Sequence, residues 1–340
     1  DNTEVYFGNV KAEIIELLFE SQLTVKIPPI VDDFQVEISV KTQNQILTFE
    51  QPFEYVTGKW TKVADFVNNL QLIETLFFKQ DQHFFFGLGR VGNNINSIIW
   101  SLDLESFSWS ETNYNGNALA GAFYTSGYFG SGVNVFSPFG TQLSNQLWSY
   151  SNGVYTARPN LPFAIYKSIA FTIDNFLFVA GGTFNLRDFE RNILRLNLSN
   201  NTWQIASTSP VPLQVENPSF TYAGSQYFVI PDGSVLKYSP SSNTWETIAQ
   251  YPIENFGIDG VSVVINDKAY IGLNNSPFLY ELDMNTFEWK RKNPLPPGIT
   301  QRNAAYFAHN NEVYVLRRYG GPAINPMPTM ALWKFEPNSW

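Results

Sequence analysis

"ILRLNLSNNTWQIAS", residues 193–207, is an apolar run, a polar turn, a tryptophan and a second alternating run. Taken alone it is one β-hairpin, because period-two alternation puts every second side chain on one face of a strand. Nearly the same stretch returns as "IIWSLDLESFSWSET" at 98–112, "VLKYSPSSNTWETIA" at 235–249 and "FLYELDMNTFEWKRK" at 278–292. The aromatic after each polar turn falls at Trp60, Trp109, Tyr155, Trp203, Trp245, Trp289 and Trp340, at spacings of 42 to 51 residues. A period of about 40–50 residues made only of short strands indicates propeller blades, each a four-stranded sheet. Six intervals predict six blades.

Each interval parses alike. The third has "SIAFTI", a tight Asp174-Asn175 turn, "FLFVAGG", a loop, "ILRLNLS", a turn and "TWQIAS". The fifth runs "GVSVVI", "ND", "KAYIGL", "FLYELD", "EWKRK". Asn and Asp pairs suit hairpin turns because they tolerate positive φ. The repeated tryptophans read as packing between blades, and Asp103 and Asp283 as turn residues accepting backbone hydrogen bonds.

Composition agrees. Of 340 residues, 44% are hydrophobic and 16% aromatic, including 29 Phe, which favours pleated sheets. Net charge is −9 with no basic run, so nucleic acid is not an expected partner. No apolar stretch approaches the ~20 residues a membrane-spanning helix needs. Cysteine is absent, which excludes disulfides, thiolate metal sites and cysteine nucleophiles.

"AIYKSIAFTIDNFLFVAGG…NILRLNLSNNTW" resembles a kelch repeat: a diglycine ending the second strand, an aliphatic third strand, a turn and Trp. The resemblance covers residues 58–340 and implies an all-β, six-bladed kelch-type β-propeller. Only the third repeat keeps the diglycine in place, at Gly181 and Gly182. The sixth repeat ends before its fourth strand, and "GKWTKVAD" at 58–65 is a spare one. Closure of the last blade by that strand is expected, since it removes both open sheet edges.

Residues 1–57 alternate without the blade pattern. Val5-Tyr6-Phe7-Gly8 and Phe53-Glu54-Tyr55 resemble the later part of an IPT/TIG immunoglobulin-like domain, so a partial β-sandwich is expected there. Together the two resemblances imply an exported protein at a Gram-negative cell surface or outer membrane. They also imply a lipid anchor upstream of Asp1, and a monomeric propeller or a subunit of a surface complex.

Chemistry is sparse. His83 and His309 both fall at turns between first and second strands, pointing to solvent, so neither zinc hydrolysis nor a copper-radical oxidase is expected. "GLGRVG" at 87–92 mimics a nucleotide loop but has no following helix. No cofactor or metal is expected.

The face carrying the loops between second and third strands is richer. Arg90, Arg187, Arg191, Arg302, Arg317 and Arg318 fall there, and a guanidinium holds a carboxylate in two-pronged geometry. These arginines also have a structural reading, pairing with Asp188, Glu190 or carbonyls. The long "YFGSGVNVFSPFGTQLSN" at 128–145 brings Tyr128, Phe129, Phe136 and Phe139, either as the loop's own small core or as a platform for a sugar ring or partner chain. Tyr166 and Tyr319 extend it. The leading expectation is a non-catalytic surface module binding glycan or protein on this face. The alternatives are a scaffold subunit, or an enzyme resembling kelch-fold sialic-acid epimerases that uses Asp188 or Glu190. A carboxylate cluster in the channel favours the enzyme, an aromatic shelf the binder.

Overall fold

The computed structural model describes residues 3–18, 22–29, 35–68, 70–125, 127–137, 140–253, 256, 259–274, 276–296, 302–318 and 330–339. Trp340, Phe139 and Tyr319 lie outside the described residues. Among those described, all regular structure is β, in two compact units, residues 1–57 and 58–339.

In the first unit a four-stranded sheet runs in the order Val10–Lys11, Glu4–Phe7, Ile38–Lys41, Ile46–Thr48. Two two-stranded pairs accompany it, Glu13–Leu18 with Gln22–Lys26 and Gln35–Val36 with Phe53–Glu54. Its small core is Val5, Phe7 and Ala12, with Phe53 packed against it. The Phe7 ring meets Phe53 edge-on at 5.0 Å, and Phe53 meets Tyr55 in the same way at 5.0 Å. The Tyr55 hydroxyl donates to the Pro28 carbonyl.

The second unit holds six four-stranded antiparallel sheets, I to VI in chain order. Their first strands are Leu76–Gln80, Phe123–Thr125, Ile169–Ile173, Ser219–Tyr222, Val261–Ile265 and Asn303–His309. Each neighbours the next, and the last returns to the first, so the six strands surround a common axis. Six hydrophobic clusters fill the spaces between successive sheets, including the space between VI and I. Every fourth strand sends its aromatic into the cluster shared with the preceding sheet: Trp109, Tyr155, Trp203, Trp245, Trp289 and Trp60. The sequence period is therefore the spacing of one packing wedge per sheet.

Lys59–Asp65 pairs antiparallel with Met330–Glu336 and becomes the fourth strand of sheet VI. The chain's two ends thus complete one sheet, leaving the ring no unpaired seam there. The tight turns take positive φ at Asp81, Asp174, Asn266 and Asn310. In sheet III the diglycine is a requirement of space. Gly181 and Gly182 have φ of 64° and 78°, and a Cβ on Gly181 would overlap the Leu213 carbonyl.

Two expectations need correction. The stretch 128–145 is not one long loop: Tyr128–Gly130 is the second strand of sheet II, followed by a hairpin of Val133–Ser137 and Gly140–Leu143. His309 does not stand in water. It closes its strand buried, beside the Tyr314 ring, and its pKa is lowered by burial and by Lys79. His83 is half-exposed, 4.0 Å from Asp103.

Candidate functional site at the channel mouth

Loops lead into the first strands at one end of the axis, and hydrogen bonds tie them into a collar. The Gly121 amide donates to Glu74 O (2.8 Å), Lys167 N to Gly121 O (2.9 Å) and Val215 N to Lys167 O (2.9 Å). Asp259 N donates to Glu216 O (3.0 Å), the Asn303 amide to Asp259 O (2.8 Å), and the Thr75 hydroxyl to Ala304 O (3.3 Å). A collar with its backbone satisfied in this way holds its side chains in fixed places.

Those side chains follow a register. Counting back by one fixed offset from the strand ends Gln80, Ile173, Tyr222, Ile265 and His309 reaches Glu74, Lys167, Glu216, Asp259 and Asn303. All five line one cavity of about 320 Å³, joined by Arg302 and Arg318. Phe77, Tyr124 and Tyr306 line both this cavity and a second of about 220 Å³ further along the channel, making an aromatic floor between them. Phe77 lies 4.4 Å from Tyr124 and 4.9 Å from Tyr306, centroid to centroid. Burial pushes both tyrosine hydroxyls up, Tyr306 to about 12, so they stay protonated hydrogen-bonding groups at neutral pH.

The rim charges are partly spent on each other. Arg90 grips Glu74 with two prongs, Nε to Oε2 at 2.7 Å and Nη2 to Oε1 at 2.8 Å. Lys167 bridges Glu74, at 3.7 Å, and Glu216. Burial alone would raise the Glu74 pKa, but Arg90, the Tyr166 hydroxyl and Lys167 outweigh it and hold the carboxylate below its ordinary range. Glu216 keeps one oxygen, Oε2, buried without a hydrogen-bond partner among the described residues. Such an orphan costs about 1–3 kcal/mol. Arg318 donates to the Leu72 carbonyl from the cavity wall. Burial lowers its pKa, Arg302 lowers it further, and Asp259 opposes both.

The arginines and aromatics expected on this face are only partly gathered here. Arg302 and Arg318 line the cavity, while Arg90 stands beside it. The Arg90 guanidinium covers the Phe136 ring at 4.8 Å, and Phe136 meets the Tyr166 ring at 6.4 Å. Arg317, next to Arg318 on the same strand, points the other way. It is buried, donates to Leu273 O and Asn303 Oδ1, and loses basicity to burial, down to about 10. It is a structural group and not a rim ligand. Phe129 is likewise no platform, being fully buried against Phe78, Tyr114 and Tyr155. Tyr128 packs against the cluster between sheets II and III. Arg187 and Arg191 lie exposed on the loop after the diglycine, Arg191 donating to Ser209 O, and neither lines the cavity.

A solved structure titled "Structure of YjhT" matches with a TM-score of 0.60, over 78% of this chain and 94% of that one, at 14% identity. The fold is a kelch-type β-propeller. Two curated relatives agree in name. The "Kelch domain-containing protein SSO1033" of Saccharolobus solfataricus is 28% identical over 187 residues, 49% of this chain. The "Kelch repeat protein M-T8" of Myxoma virus is 28% identical over 157 residues, 44% of this chain. The matched stretches span 25% and 30% of those relatives' own lengths. No protein-family model matches the chain.

Proposed function

We propose that this propeller is a non-catalytic recognition module that takes the end of an acidic glycan into its channel mouth. It would belong to a protein displayed at a cell surface, with the N-terminal β unit as spacer. The observation that carries the reading is a cavity of about 320 Å³ with a mixed-charge rim over an aromatic floor. Aromatic faces pack against the apolar face of a sugar ring, and an arginine on the rim holds a carboxylate. A glycan array probed with the purified chain tests this. Binding of acidic glycans should fall at least tenfold in Arg302→Ala and remain in Arg187→Ala. A blank array, or equal loss in both variants, would move the function to a protein partner on the same face.

The carboxylates at the mouth favour a second reading, acid–base epimerisation of a sugar. Glu216 would then be the proton acceptor, because Asp188 and Glu190 sit on the exposed loop away from the channel. NMR of each array-selected sugar separates the two, since a binder leaves the rate of stereochemical exchange unchanged.

A further inference from the structure

We infer that the head group taken by the channel mouth is zwitterionic: an acidic saccharide with a free, protonated amine near its carboxylate. This rests on the recognition reading above and specifies its ligand. The mouth has a positive and a negative side. Arg302 and Arg318 come from sheet VI, while Asp259 and Glu216 come from the approaches to sheets V and IV, and all four line the same cavity. Among the described residues, neither Asp259 nor Arg302 is in an ion pair with a side chain, and both are exposed to the cavity.

A simple anion is poorly served here. Seated on Arg302 it would share the cavity with the Asp259 and Glu216 carboxylates, and like charges repel. Lys167 answers only the other oxygen of Glu216 and shares itself with Glu74. A neutral hydroxyl would bring no charge to Asp259, whose attraction reaches only to the half-buried Arg318 among the described cations of the rim. An ammonium answers Asp259, with the Glu216 charge behind it, while the ligand's own carboxylate lies on Arg302. Hydrogen bonds to a carboxylate are strongest when the donor is charged too. Acylation of the amine would remove the charge and place an amide against two carboxylates.

The test is calorimetric titration of the full chain with two disaccharides, glucuronate–glucosamine with a free amine and the same compound N-acetylated. The free-amine form should bind at least tenfold more tightly. Asp259→Asn and Glu216→Gln should each shrink that preference, and Asp259→Asn, at an exposed position, keeps the test valid if Glu216→Gln fails to fold. Equal affinities for the two forms would overturn the zwitterion while leaving the mouth as the glycan site. Binding of neither form would overturn it too, with the array and Arg302→Ala deciding the mouth separately.

Discussion

Glu74 shows how single residues set the site's behaviour. Its carboxylate is held ionised by Arg90, Tyr166 and Lys167, so its folded pKa lies below the ordinary 4.5. A depressed carboxylate contributes stability that is fully present above its unfolded pKa and is lost as pH falls through the folded one. Removing the two-pronged partner in Arg90→Ala should raise the folded pKa and cost about 1–3 kcal/mol at neutral pH. Melting temperatures followed from about pH 7 down to about pH 3 should show the variant losing stability at higher pH than the parent. Superimposable acid limbs would mean that Arg90 does not govern Glu74. The residue scale is also where sequence reading went furthest astray. Arg317 and Arg318 read as one basic pair, but neighbours on a strand point to opposite faces, so only Arg318 reaches the cavity. Glu74, Lys167, Glu216 and Asp259 went unnoticed because each is an ordinary loop residue by itself. Their common offset from the tight turns is the signal that would have found them.

Elements were more legible, because packing writes itself into residue type. An aromatic at the start of each fourth strand, tryptophan in all but sheet II, fills the gap to the preceding sheet, so its period reports the sheets directly. Several tight turns were readable for a similar reason: positive φ is tolerated by few side chains, and Asp81, Asp174, Asn266 and Asn310 stand there, although Ala223 takes it in sheet IV. The stretch after Tyr128 misled because a hairpin inserted between strands carries the same aromatics as a binding loop. Gly181 makes a strict test at this scale. Its φ of 64° and the Leu213 carbonyl against it leave no room for a methyl group, so Gly181→Ala should lose about 1–3 kcal/mol in urea unfolding. An unchanged midpoint would show that the diglycine is not sterically required.

Across the whole molecule, the second unit converts repetition into a site. Six sheets close on themselves when the strand Lys59–Asp65 joins Met330–Glu336, and closure brings residues from Glu74 to Arg318 around one opening. The offset marks which loop residues meet, but the shape of the opening depends on ring geometry and on a hydrogen-bonded collar formed by distant loops. The most direct measurement is amide hydrogen exchange with and without an array-selected acidic glycan. Binding at the mouth predicts slowed exchange at the collar amides of Gly121, Lys167, Val215 and Asp259, with the loop carrying Arg187 and Arg191 unchanged. Protection confined to that outer loop, or to the turns at the far end of the channel, would contradict it.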